Sequence, residues 1–172
     1  MRKILLTTVF LLISFMSFGC TCLWGGNFIK ANKDSRSDVV TGKVIGMYYL
    51  FGDKEVLDKG EETDLNQYSD RPFKKFVRIK IEEVIKGNVH TNTIDLYSSF
   101  GFDCTEDLSY LETDKWYVIS LITRNDEFRV HSCSENILEY FPKQNMVTGK
   151  IKGNFKKSMR FYNYDKLKRK IS

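Results

Sequence analysis

A β-branched and aromatic stretch from Val39 to Leu50, interrupted by Gly42 and Gly46, most constrains what this chain can fold into. Such residues favour extended backbone, and glycines inside a strand mark bulges or the close approach of another backbone. The stretch therefore predicts one long strand that bends. Four more strands follow. Phe76, Arg78, Lys80 and Glu82 alternate with Val77, Ile79, Ile81 and Glu83, a half-buried pattern that stops at Lys86-Gly87. Thr93 to Tyr97 is a short strand. Trp116 to Thr123 is almost continuously apolar, and Asn125-Asp126 turns it into Phe128 to Ser132. Gly52 to Arg71 is polar, acidic and aperiodic, which predicts a long exposed loop. Five strands with one curved member predict a mainly all-β fold, a five-stranded OB-fold-like barrel. Short helices flank it, one of them over Tyr162 to Ile171.

The start of the chain has the pattern of a secretory leader. Arg2 and Lys3 precede an apolar run from Ile4 to Phe18, and small residues stand at Ser17 and Gly19. This predicts a signal peptide over residues 1–19 and a mature protein that begins at Cys20, secreted to an extracellular or periplasmic space. Residues 20–142 form the barrel domain and residues 143–172 a basic tail. Beyond the leader, no apolar run reaches the length of a membrane span. All four cysteines, Cys20, Cys22, Cys104 and Cys133, follow the leader, and an oxidising compartment lets disulfides persist. Four cysteines allow three pairings. Cys20 and Cys22 are too close for an easy mutual bridge, so the two crossed pairings are favoured. Either one closes loops of roughly 100 residues and contributes ~4–5 kcal/mol in the chain-entropy view.

Charge is segregated. Cys20 to Pro142 holds 15 basic and 21 acidic residues, whereas Lys143 to Ser172 holds ten basic residues and a single acid, Asp165. The tail is suited to an anionic membrane or polysaccharide surface. An exported, disulfide-bonded, acidic body argues against nucleic acid, although Trp24, Phe73, Phe76 and Tyr97 are of the type that stacks on bases. Nothing points to catalysis. The two histidines, His90 and His131, have no ligand partner at useful spacing. Glu82 and Glu83 are neighbours on a strand and face opposite ways. No nucleophile motif or phosphate-binding glycine loop is present. The chain reads as a non-enzyme with no cofactor and no metal of its own.

The order of these segments resembles the N-terminal domain of the tissue inhibitors of metalloproteinases, in the netrin-like OB-fold family. Cys20-Thr21-Cys22 matches the family's Cys-x-Cys start. Ser37 to Gly46 resembles its first strand and Phe76 to Gly87 its next, with the same Lys-Gly ending. Ile94 to Cys104 and Tyr117 to Cys133 each end on a cysteine as the family's segments do. The resemblance implies disulfides Cys20–Cys104 and Cys22–Cys133. It implies inhibition of a zinc metalloendopeptidase, with the amine and carbonyl of Cys20 chelating the protease's zinc and Thr21 entering the specificity pocket beside it. Cys22 anchors that head, and Ser99, Phe100, Gly101 and Phe102 widen the contact. The family's third disulfide and its cysteine-rich second domain have no counterpart here.

A second reading rests on the same cysteine. Ser17-Phe18-Gly19-Cys20 partly resembles a bacterial lipoprotein signal, in which Cys20 takes a thioether lipid and its amine is acylated. That chemistry destroys the chelating head. It leaves a membrane-anchored binding or assembly module on the same fold, with no inhibitory activity.

Overall fold

The computed structural model describes residues 26–33, 35–60, 73–98, 107–131, 135–152 and 161–172. Among these, nine strands and two α-helices form, in chain order, α1 (Phe28–Lys33), β1 (Asp38–Phe51), β2 (Lys54–Leu57), β3 (Phe73–Lys86), β4 (Thr93–Tyr97), β5 (Trp116–Arg124), β6 (Glu127–Arg129), β7 (Ile137–Phe141), β8 (Met146–Thr148), β9 (Phe161–Asn163) and α2 (Tyr164–Ile171). The sheet runs β2-β1-β3-β4-β6-β5-β7-β8-β9, and a further pairing of β1 with β5 closes it. The closed part is the ring β1-β3-β4-β6-β5. Counting only these five strands in chain order gives 1-2-3-5-4-1, with β4 and β6 parallel at Leu96 and Phe128. This is a five-stranded barrel of the OB type, as the strand pattern predicts.

Closure depends on β1 serving two partners. Residues Asp38 to Lys43 pair with β5 on one edge, and Val39 to Phe51 pair with β3 on the other. A straight strand cannot curl this far, and the ladder slips in three places, between Val39 and Val40, Thr41 and Gly42, and Val44 and Gly46. The extra residues are Ile85 and Glu82 on β3 and Ile45 on β1, and each bulge adds bend and twist. Gly42 sits within this region because the strands come too close for a side chain. A Cβ there meets Ile79 Cγ2 at 2.5 Å and the Lys80 carbonyl oxygen at 2.7 Å. At the end of β3, Gly87 has φ +93° and packs against Asp38, whose carboxylate accepts the Asn88 N–H at 3.0 Å.

The two faces of the wall bury two cores. Inside the barrel lie Val40, Val44, Val77, Ile79, Ile94, Leu96, Leu108, Leu111, Tyr117, Ile119, Leu121 and Val130. Outside it, Phe28, Val39, Val118, Leu138, Val147, Ile151, Tyr164, Leu167 and Ile171 form a second cluster under the helices. β5 is therefore covered on both sides, which explains its near-continuous apolar sequence. Its hairpin to β6 is the tight kind, with Asn125 and Asp126 both left-handed (φ 51° and 61°).

The segment from Gly52 to Arg71 differs from its sequence expectation in its first part. Lys54 to Leu57 pairs with Tyr48 to Phe51 as a hairpin strand, since cross-strand pairing stabilises backbone that carries no apolar period. Residues 61–72 lie outside the described set. The C-terminal helix forms at Tyr164–Ile171, capped by the Asn163 side chain, which accepts the Lys166 N–H. It buries Tyr164, Leu167 and Ile171 at i, i+3 and i+7. Tyr164 fastens it to the bent part of the barrel. Its hydroxyl donates to Glu83 at 2.8 Å and meets the Thr41 hydroxyl at 2.6 Å, while Lys168 donates to Glu83 at 2.9 Å. Burial drives the Tyr164 hydroxyl well above the usual phenol range, so it stays protonated as a donor.

Gly42→Ala is expected to destabilise the fold by about 1–3 kcal/mol, because the backbone of β3 must shift to admit a methyl group. Urea unfolding should record a lower midpoint with an unchanged slope. A stability equal to wild type would mean that strand separation at this bend is not fixed by the glycine.

Candidate functional site

Every residue to which sequence reading gives a functional role, Cys20, Thr21, Cys22, Ser99, Phe100, Gly101, Phe102, Cys104 and Cys133, lies outside the described residues. The structure describes the framework on either side of them. At the N-terminal side, the carbonyl of Gly26 accepts the Glu135 N–H at 3.1 Å. The Asn27 side chain accepts the Lys30 N–H at 3.0 Å as the cap of α1. The Phe28 and Ile29 amides donate to the Lys150 and Ile151 carbonyls at 2.8 and 3.1 Å. These first amides of a helix have no internal acceptor, so the C-terminal segment supplies one. The gap at 132–134 is bracketed by Asn136, whose side chain donates to the His131 carbonyl and whose own carbonyl accepts the Ser120 N–H.

The other end of α1 is held as firmly. Asn32 is buried and its side-chain oxygen accepts from Ser37 at 2.9 Å and from Ser120 on β5 at 2.5 Å. Lys86 at the end of β3 donates to the carbonyls of Asn32 and Ser35 at 2.6 and 2.8 Å. A cation at the C-terminal end of a helix satisfies orphan carbonyls and complements the helix dipole.

Ser98 and Leu108, on either side of residues 99–106, lie close together. The Ser98 N–H donates to the Lys75 carbonyl at 2.9 Å, and the Leu108 N–H donates to the Ser98 hydroxyl at 3.4 Å. Beside this point stands a polar cluster that the sequence does not reveal. Lys75 pairs with Asp58 at 3.2 Å, both mostly buried, and its ammonium lies 5.4 Å from the Tyr49 ring centre. Burial pushes the Asp58 carboxyl up, but the Gly60 amide and the Lys75 ammonium outweigh it, so the group sits below the usual carboxylate range. Burial raises the Tyr49 hydroxyl. Asp107 is held low by the hydroxyl and amide of Ser109.

On the outer wall, the cross-strand row Leu57, Tyr48, Phe76, Tyr97 spans β2, β1, β3 and β4. Tyr48 stacks on Phe76 at 5.3 Å with 13° between planes, and Phe76 lies 5.4 Å from Tyr97. Arg78 lies over Tyr48 and Phe76 and reaches Asp95 at 2.7 Å and Glu55 at 3.0 Å. Lys74 pairs with Glu127, which Arg129 also holds. Phe76 is only 1% exposed, so it offers no free ring for stacking on a base. Trp24 lies outside the described residues, and the exposed ring of Phe73 packs with Tyr49 and Phe51. The signal for these groupings is strand register, which brings together residues such as Tyr48 and Phe76 or Lys74 and Glu127 that are far apart in the chain and leaves no local mark in sequence. Charge pairs that are already satisfied stiffen and orient a surface. They hold no proton poised for transfer.

Among the described residues, no three His, Cys, Asp or Glu side chains gather as a metal site, and no helix is long and apolar enough to cross a membrane. Glu83, engaged by Tyr164 and Lys168, stands apart from Glu82, the extra residue of a bulge. Comparison with protein-family models, curated proteins and solved structures finds no match to this chain.

Asp58→Asn is expected to cost about 1–2 kcal/mol at pH 7 by unpairing Lys75. A carboxyl with a lowered folded pKa stabilises above its unfolded value, near 4, and loses that contribution as pH falls through the folded value. Urea unfolding at pH 7 and pH 3 should therefore find the gap between wild type and variant closing at the lower pH. A gap that persists at pH 3 would contradict the charge pairing.

Proposed function

We infer that the chain is an exported inhibitor of zinc metalloendopeptidases, similar in design to the N-terminal domain of the tissue inhibitors of metalloproteinases. The observation that carries this reading is the Gly26 to Glu135 hydrogen bond on an OB-type barrel. Cys22 precedes Gly26 by four residues and Cys133 precedes Glu135 by two. The stretch behind the Cys-x-Cys start and the stretch behind the last cysteine are thus joined in the described fold, which supports a Cys22–Cys133 bridge. Ser98 and Leu108, which flank residues 99–106, are hydrogen-bonded to one another, and this is compatible with a Cys104 bridge to the head.

In this reading, signal cleavage after Gly19 frees the Cys20 amine. The amine and the Cys20 carbonyl chelate the zinc of the target protease and displace the water that would attack substrate. The Cys20–Cys104 bridge holds this head in its binding geometry and so reduces the entropy lost on association. Thr21 buries its methyl group in the pocket beside the zinc. The chain itself catalyses nothing and needs no cofactor.

Adding one residue before Cys20 is expected to abolish inhibition in a metalloprotease assay, while Thr21→Gly weakens it by about 1–2 kcal/mol through lost burial. The α-amine must lose its proton to ligate, and its ordinary pKa is about 7.7–8.0. Affinity should therefore fall roughly tenfold for each pH unit below that value. Inhibition that survives the N-terminal extension would sink the mechanism. Intact and peptide mass spectrometry without reduction comes first. A free Cys20 amine with Cys20–Cys104 and Cys22–Cys133 bridges keeps the mechanism, and a diacylglyceryl mass on Cys20 assigns the chain to the lipoprotein reading.

A further inference from the structure

Two helices remote in sequence, α1 and α2, both carry exposed cations. α1 and α2 touch one another over the second core. Their buried sides are Phe28 and Asn32 on α1 and Tyr164, Leu167 and Ile171 on α2. Lys33 on α1 and Lys166, Arg169 and Lys170 on α2 are all exposed.

Several cations of the barrel wall are paired. Lys43 pairs with Asp114, Lys75 with Asp58, Arg78 with Asp95 and Glu55, Lys115 with Glu112, and Arg129 with Glu127. Lys33, Lys166, Arg169 and Lys170 have no ion pair with any described residue, and α2 spends its single acid, Asp165, on Asn145 and Lys168. Lys80 on β3 and Arg124 on β5 are also exposed without an ion pair among the described residues, but the two touching helices carry four such cations. Phe161, two residues before the α2 cap, is 60% exposed and lines a shallow apolar groove with Phe141 and Met146.

We propose that the helix face is a docking surface for an anionic phospholipid bilayer. Open cations attract the headgroup layer, and an exposed aromatic ring just before the same helix has an apolar boundary region to enter. A soluble polyanion would satisfy the cations and leave Phe161 in water, so the ring favours the bilayer. The inference is independent of protease inhibition. It concerns a different set of residues and is measured with no protease present.

The test is co-sedimentation of the mature chain, in a preparation whose intact mass carries no lipid, with phosphatidylcholine vesicles with and without phosphatidylglycerol. Binding is expected only to the anionic vesicles and should weaken steeply with salt. Each Lys or Arg near such a surface is worth roughly fivefold. The combined variant K33E/K166E/R169E/K170E should therefore lose at least about a hundredfold in affinity. Phe161→Ser should lose several-fold. All five positions are exposed, and a melting temperature equal to wild type establishes that the variants fold. Absence of binding to anionic vesicles, equal binding to neutral ones, or affinity unchanged in either variant overturns the proposal. Retention on heparin without vesicle binding does so as well, and names a soluble polyanion instead.

Discussion

The rest of the structure depends on one strand being paired along both edges. β1 gives residues Asp38 to Lys43 to β5 and Val39 to Phe51 to β3, and without the first of these the sheet stays open. A strand can serve both neighbours only by turning between them. Three register slips and the contact of Gly42 with the β3 backbone provide that turn. The same bend raises Thr41 and Glu83 to where Tyr164 and Lys168 reach them, so the C-terminal helix docks on the part of the barrel that is most curved.

Closure also creates two environments from one wall. The inner face is dry and apolar. The outer face is divided between a helix-covered core and a row of aromatic rings overlaid by paired charges. Among the described residues, four exposed cations without an ion pair, Lys33, Lys166, Arg169 and Lys170, lie on the two helices. The inhibitory head proposed for Cys20 and the bilayer face proposed for α1 and α2 use separate residues.

Much of the barrel was legible in the sequence, for local reasons. Val39 to Leu50 announced a bent strand through its glycines, Thr93 to Tyr97 matched β4 residue for residue, and Asn125-Asp126 announced the hairpin. β7, β8 and β9 were not read. The last two have three residues each, too few for a period, and they exist because a neighbouring strand offers hydrogen bonds. Lys54 to Leu57 was lost inside a polar stretch for the same reason. The Asp58–Lys75–Tyr49 cluster and the Arg78 bridge were equally hidden, since each joins strands whose register no single sequence specifies. The cysteine framework stood out at once, through residue type and spacing alone.

By itself, then, the sequence determined the strand periods, the glycine breaks, the turn, the amphipathic last helix, and the contrast between an acidic body and a basic end. All of these are set by neighbours within a few residues. Tertiary structure decided which edge β1 gives to β5, which lysines find a carboxylate, and that α1 packs against a helix more than 130 positions away. Those outcomes follow from pairing and packing across long loops, where geometry in three dimensions, and not local propensity, selects the partner.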